Sequence, residues 1–167
     1  AGASEVEALF EPAEPAELLH YWSFNADSHP TYSRGGGSLN MAPGPETQVV
    51  LASGQGFENA NGRRGEAAGS HLRANLPLGT VLEWTLPTTG HENVVVRYEA
   101  RRSGEGPGMH YVAYTADGRE YRNVAAFTLD NAKPRVFEVD FSAYPDAADN
   151  PLFGIRVAFE KGTGGEG

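Results

Sequence analysis

Charged and tyrosine side chains at alternate positions of predicted strands are the residues of this 167-residue chain best suited to binding chemistry. Arg97, Glu99 and Arg101 occupy every second position of one strand, so they project from one face of its sheet. Tyr111 lies on a strand face open to solvent, and Tyr121 lies beside a loop. Guanidinium and carboxylate groups hydrogen-bond hydroxyls, and tyrosine rings pack on flat apolar surfaces. We therefore expect these five side chains to bind a glycan or another extracellular polymer.

Catalytic sites of three kinds fit the residue types less well than a binding site does. No serine lies in a Gly-x-Ser-x-Gly turn, and none has a histidine at a sequence spacing that indicates a catalytic pair. A polysaccharide lyase would use residues such as Arg97, His110 and Tyr111, but no Gln-x-His strand accompanies them. A glycoside hydrolase needs two carboxylates roughly 5–10 Å apart, and its candidates would be Glu83, Glu99, Glu138 and Asp140. These carboxylates equally suit a sheet face crossed by ion pairs, so we expect no enzymatic activity.

Oxygen-bearing side chains also occur in two loops that flank the first and last predicted strands. Asn25 and Asp27 follow the first strand, and Asp146 and Asp149 precede the last strand. The first and last strands of a sandwich are often neighbours, and Ca²⁺ prefers oxygen ligands at about 2.3–2.6 Å. We therefore expect these four residues to bind a structural calcium ion, with turn formation as the alternative role. The five histidines lack the spacing of a zinc site.

Composition excludes several classes of protein. The chain has no cysteine, so it has neither disulfides nor thiolate metal sites. Its formal net charge is −9, which disfavours nucleic acid as a partner because phosphate binding depends on clustered Lys and Arg. No run of about 20 apolar residues is present, so we expect no membrane insertion. The first residues, AGASE, fit a mature terminus left by signal cleavage and equally a fragment boundary.

Apolar residues at alternate positions predict about eight strands and no long helix. Nine segments are candidates, of which His71–Leu76 is weak: Leu18–Asn25, Gln48–Ala52, His71–Leu76, Thr80–Leu86, Asn93–Arg102, His110–Thr115, Val124–Leu129, Arg135–Phe141 and Phe153–Phe159. The dipeptide Asp117-Gly118 predicts a hairpin. Strands with one apolar face pack as two sheets, so the predicted fold is an all-β, two-sheet antiparallel jelly-roll sandwich. This domain would span residues 18–160, after an N-terminal arm or linker (1–17) and before a Gly-rich tail (161–167).

Four segments in order resemble those of a family of bacterial secreted jelly-roll domains. They are HYWSFNAD (20–27), ENVVVRYEARRSGEGP (92–107), YTADGREY (114–121) and FEVDFSAYPDAADNPLFGIRVAFE (137–160). The resemblance covers residues 18–160 and implies a domain that is similar to carbohydrate-binding modules and is secreted or held at the cell surface. The shared motifs are turn and core signatures, so they assign no ligand-contact residue.

Two functions follow from these patterns. The first is a non-catalytic extracellular module that binds carbohydrate and is stiffened by calcium. The second is a structural subunit of a cell-surface or extracellular filament, in which residues 5–10 (EVEALF) add a strand to the open sheet edge of a neighbouring copy. The first predicts saturable glycan binding without product, and the second predicts homo-oligomers that depend on the arm.

Overall fold

The structure, a computed structural model, describes residues 16–167, and this part of the chain is all-β. Strands hold 38% of the residues and helix 2%, which confirms the predicted all-β class. The eleven described strands are β1 His20–Tyr21, β2 Tyr32–Ser33, β3 Ser38–Ala42, β4 Gln48–Ala52, β5 His71–Asn75, β6 Val81–Thr85, β7 Val95–Ala100, β8 Met109–Thr115, β9 Arg122–Thr128, β10 Arg135–Asp140 and β11 Gly154–Glu160. A 3₁₀ helix at Pro145–Ala147 precedes β11. Within residues 16–167, no helix has the length and apolar character needed to cross a bilayer.

Five strands form an antiparallel sheet in the order β3-β6-β11-β8-β9. The central strand, β11, pairs with β6 on one side and with β8 on the other. The strands β8 and β9 form the hairpin predicted from Asp117-Gly118, and Gly118 has a φ of 75° that glycine adopts without steric strain. Three further antiparallel pairs complete the described strands: β1–β2, β4–β5 and β7–β10.

The core lies between the inner face of the five-stranded sheet and the β7–β10 pair. Tyr98 and Phe137 of that pair contact His110 and Phe127 of the sheet, with ring centroids 4.8–5.7 Å apart. Burial of such side chains is the main favourable term in folding. The buried cluster comprises Leu82, Leu86, Val112, Tyr114, Val139, Phe141, Ala147, Phe153, Ile155 and Val157, and both tryptophans pack against it.

The predicted first strand, Leu18–Asn25, is much shorter in the structure, where only β1 remains. The chain turns after β1 because the Ser23 N–H donates a hydrogen bond to Thr31 Oγ1 at 2.9 Å. Phe24 has a φ of 57°, which is incompatible with an extended strand. Trp22 and Phe24, which both lie within the predicted strand, therefore do not lie on one strand face.

The Gly-rich tail, residues 161–167, lies against the domain. The Gly165 N–H donates to the Gly106 carbonyl at 2.9 Å, and the Gly167 N–H donates to the Glu105 carbonyl at 2.8 Å. The tail therefore forms backbone hydrogen bonds with residues 105–106. Its glycines allow the two backbones to approach closely, because they have no side chain in the way.

Only the last two residues of the predicted arm, residues 1–17, belong to the described part of the chain. The Glu17 carboxylate forms an ion pair with Arg34 and lies 2.9 Å from His91 Nε2. This segment is therefore fastened to the domain at residue 17. The predicted strand addition by residues 5–10 lies outside the described residues.

Removal of the Thr88 hydroxyl is expected to lower the free energy of unfolding by about 1–3 kcal/mol, because one buried and one part-buried backbone group lose their partner. Thr88 is 1% exposed, and its Oγ1 donates to the Ala147 carbonyl at 2.7 Å and accepts from the Asn150 N–H at 3.0 Å. Urea denaturation of Thr88→Val measures the loss. The exposed neighbour variant Thr89→Val is the control, and equal stability of the two variants would contradict this role.

Candidate functional site

The five side chains predicted to bind a ligand lie on two opposite sides of the core. Arg97 and Glu99, with Arg101 just beyond the strand, alternate with core-facing residues of β7 and project away from the β7–β10 pair. Tyr111 alternates with buried residues of β8, so it projects from the far side of the five-stranded sheet. Tyr121, in the β8–β9 hairpin, contacts side chains on that same side. The structure therefore brings the two tyrosines together and separates them from the other three residues.

Two of the three residues on the β7 side hold the loop between β4 and β5. Glu99 accepts a hydrogen bond from the Asn61 N–H at 3.3 Å, and the Arg101 guanidinium lies 4.7 Å from the centroid of the Phe57 ring. The Asn61 side-chain amide also donates a hydrogen bond to the Arg97 carbonyl at 3.1 Å, so this backbone group of β7 has a hydrogen-bond partner. Glu99 and Arg101 are thus engaged within the chain, Glu99 being half-buried and Arg101 exposed, as Arg97 is.

The register of the five-stranded sheet arranges the side chains that face away from the core into rows across the strands. The rows, each given from the β3 side toward β9, are Ser38, Thr85, Gly154 and Thr115; Asn40, Glu83, Arg156, Ala113 and Asn123; Ala42, Val81, Ala158, Tyr111 and Ala126; and Glu160, Met109 and Thr128. We call this surface, with Tyr121 above it, the outer face. Small side chains fill most of its positions, so the few large ones stand above a shallow floor.

Arg156, at the centre of the outer face, joins side chains from three elements. Its Nε and Nη2 donate to Glu83 Oε1 at 3.1 and 2.8 Å, and its guanidinium lies 3.8 Å from the centroid of the Tyr121 ring. Burial, followed by the charge of Glu83, raises the pKa of Tyr121. The Arg156–Glu83 pair follows directly from the backbone, because the two residues are partners in the β6–β11 register. These contacts hold the Tyr121 ring in one orientation.

Tyr111 is the second aromatic side chain of the outer face. Its hydroxyl donates to Glu160 Oε2 at 3.0 Å, and this hydrogen bond raises the pKa of Tyr111. The strand partner of Tyr111 is Ala158, which lies two positions from both Arg156 and Glu160 on β11. Both tyrosines are half-buried, so part of each ring remains open to a ligand. Two fixed aromatic rings beside amide and carboxylate groups can stack on one part of a ligand and hydrogen-bond another.

Sequence reasoning missed several side chains of this surface. The sequence identifies Glu83 as a carboxylate that suits a glycosidase, an ion-paired sheet face or a sugar-binding face, and Arg156 as a cation of such a face. Asn40, Asn123 and Glu160 carry no motif. Glu83 and Arg156 lie 73 residues apart in the chain, so only the strand order brings them together. Alternation along each strand gives the side on which a residue lies, and the register between strands gives its neighbours.

The four residues predicted to bind calcium each form a hydrogen bond within the chain. The partners are the Glu66 carboxylate for Asn25, the His29 N–H for Asp27, the Tyr114 hydroxyl for Asp146 and the Gly90 N–H for Asp149. Within residues 16–167, no group of three or more His, Cys, Asp or Glu residues is arranged to hold a metal ion. Loop-fixing contacts of this kind match the alternative turn role. Calcium binding stays a prediction.

Two cavities in the described residues hold about 210 and 230 Å³. Arg34, Pro87 and His91 contribute to the first, and Leu76 and Glu166 contribute to the second. Neither cavity contains a residue of the outer face. Both are smaller than the roughly 300–1,000 Å³ that is usual for small-molecule pockets.

Comparison with protein-family models, curated proteins and solved structures found no match for this chain.

Proposed function

We propose that this protein is a non-catalytic extracellular module that binds carbohydrate on its outer face. The observation that carries the proposal is the pair of tyrosine rings, Tyr111 and Tyr121, held by hydrogen bonds and an arginine contact above a floor of small side chains. Sugar rings have an apolar face and a rim of hydroxyls. Tyrosine rings match the apolar face, and the surrounding amides, hydroxyls and carboxylates match the rim.

The finer description of the fold in this proposal is a two-sheet jelly-roll sandwich. It is supported by the packing of the β7–β10 pair across the inner face of the five-stranded sheet. The resemblance to bacterial secreted domains supports a location outside a bacterial cell or at its surface. Strand register positions the side chains of the outer face other than Tyr121, which is held by Arg156 and Glu83.

Substitution of Tyr121 by alanine is expected to weaken glycan binding at least tenfold, because it removes the ring and also releases Arg156. Tyr111→Ala is expected to weaken binding to a similar extent. Affinity gel electrophoresis in soluble polysaccharides measures both effects, since a bound polymer retards the protein in the gel. Thermal unfolding checks that each variant is folded.

The matched control is Arg97→Ala, on the opposite side of the core. Arg97 is exposed, so the variant should keep both its fold and its affinity. Loss of binding in Arg97→Ala with full binding in Tyr121→Ala would move the site to the β7 side. If none of the polymers retards the protein in the gel, carbohydrate binding is refuted.

A further inference from the structure

The outer face carries few charges, and they are mostly negative. Among the side chains that the strand register assigns to this face, Arg156 is the single cation, and Glu83 and Glu160 are the anions. The face therefore has a net charge of about −1 when all three groups are ionised. The chain as a whole has the same sign, with a net charge of −9.

The single cation is already engaged by a carboxylate of the chain. Arg156 donates from Nε and Nη2 to Glu83, and its guanidinium stacks on Tyr121. Arginine binds an acidic ligand through parallel N–H donors, and the Nε–Nη2 edge of Arg156 is already occupied by Glu83. The carboxylate of Glu83 also offsets the positive charge of Arg156, so the attraction that Arg156 offers to a ligand carboxylate or sulfate is reduced.

Glu160 opposes an acidic ligand directly. It is exposed at the end of β11, and its outer-face contact is with the neutral hydroxyl of Tyr111. A ligand anion near this carboxylate would meet like charge, which destabilises a complex.

The remaining polar side chains of the outer face are neutral. The amides of Asn40 and Asn123 and the hydroxyls of Ser38 and Thr85 are exposed, and each can both donate and accept hydrogen bonds. Asn40 is on β3 and Asn123 is on β9, four strand spacings apart, which corresponds to roughly 19 Å. This distance exceeds the width of one sugar ring, so the row suits an oligosaccharide that lies across the strands.

We propose that the outer face selects neutral polysaccharides and rejects acidic ones, with the sugar chain lying across the strands from Asn40 to Asn123. This inference rests on the proposed carbohydrate-binding function and specifies its ligand class. Specificity here comes from the internal neutralisation of Arg156 together with the free carboxylate of Glu160.

The test uses pairs of polymers that share a backbone and differ in charge. Affinity electrophoresis is run in hydroxyethylcellulose and carboxymethylcellulose, in dextran and dextran sulfate, and in methyl-esterified pectin and polygalacturonate. We expect binding to the neutral member of at least one pair, with affinity for its acidic counterpart at least tenfold lower. Added salt should leave neutral binding unchanged, because screening acts on charged contacts. Longer neutral oligosaccharides should compete better than monosaccharides.

Charge variants test the cause of the selectivity. Glu160→Gln should reduce the ratio of affinities for the neutral and acidic polymers of a pair by about threefold or more, because it removes the negative charge that repels the acidic polymer. Glu138 lies on the outward side of β10, across the core from the outer face. Glu138→Gln removes the same charge and should leave this affinity ratio unchanged.

The outcomes separate this inference from the proposed function. Equal or tighter binding of the acidic member, or binding that falls steeply with salt, would overturn neutral selectivity and leave carbohydrate binding intact. If Glu160→Gln and Glu138→Gln change the ratio of neutral to acidic affinity equally, the role of Glu160 is overturned. Failure to bind any polymer would overturn both the inference and the function on which it rests.

Discussion

Replacement of Phe141 by alanine is expected to lower the free energy of unfolding by about 3–5 kcal/mol. Phe141 is 2% exposed, and its ring contacts those of Tyr114 and Phe153 edge-on, with centroids 5.4 and 5.1 Å apart. The Phe141 N–H also donates to the Val94 carbonyl at 2.8 Å, so the backbone is held in place and cannot collapse into the space left by the ring. The loss therefore combines burial of apolar surface, aromatic contacts and the formation of a cavity.

Urea denaturation followed by tryptophan fluorescence measures this effect. The matched control is Leu152→Ala in the neighbouring loop, where the side chain is 52% exposed and the expected change is within about 0.5 kcal/mol. The variant Phe141→Leu, which retains part of the volume, should fall between the two. Equal stability of Phe141→Ala and Leu152→Ala would show that the core does not pack as described.

Acidification from about pH 7 to about pH 4 is expected to lower the free energy of unfolding by roughly 3 kcal/mol through His110 alone. His110 is 1% exposed, Tyr98 Oη lies 2.7 Å from its Nε2, and its Nδ1 has no hydrogen-bond partner among residues 16–167. Burial, followed by the charge of Arg135, lowers the pKa of His110 from 6.5 to about 4. The folded protein therefore holds the neutral imidazole.

The direction of the effect follows from which state binds the proton more tightly. In the unfolded chain His110 has its ordinary pKa of 6.5, so this state takes up a proton first as the pH falls. The contribution of His110 is complete above pH 6.5, decreases between pH 6.5 and about 4, and is lost below that range. Stability in this window should therefore rise with pH.

The double variant Tyr98→Phe, His110→Leu isolates this contribution. It removes both partners of the buried hydrogen bond, so it leaves no unpaired group and should fold at about pH 7. Carboxylates such as Asp140, whose pKa is lowered by hydrogen bonds from Ser142, contribute equally to the two proteins. The difference in unfolding free energy between wild type and variant should change by roughly 3 kcal/mol across the window. Parallel pH curves for the two proteins would contradict a buried neutral His110.

Much of the strand pattern is predictable from alternation and turn residues. The bounds of β4, Gln48–Ala52, match the prediction, because a short apolar run lies between a loop rich in Gly and Pro and a loop rich in Gly and Asn. Residues 26–47 hold four glycines and three prolines, which predict a long loop with room for a short strand but do not give its bounds, and the structure places β2 and β3 there. In the structure Leu39 and Met41 face the core, so the alternating signal exists but is only five residues long.

The candidate site is less predictable than the strands. Tyr111 and Tyr121 are identifiable as exposed aromatic residues, and Arg97 has the same outward orientation on its own strand. Alternation cannot tell which of two outward surfaces a residue occupies, because that depends on which sheet its strand joins. Sheet membership comes from long-range pairing such as β6 with β11, which no local pattern specifies.

The central strand β11 ties recognition and folding to one backbone. Ile155, Val157 and Phe159 pack inward, and Arg156, Ala158 and Glu160 point outward between them. Replacing the outward residues one by one can redirect what this surface captures while the interior stays intact. Inserting or deleting a single residue would exchange the two sets and bury charge in the interior. Point substitutions on the outward side of β11 can therefore change the ligand preference of this protein, whereas insertions or deletions within β11 would disrupt its fold.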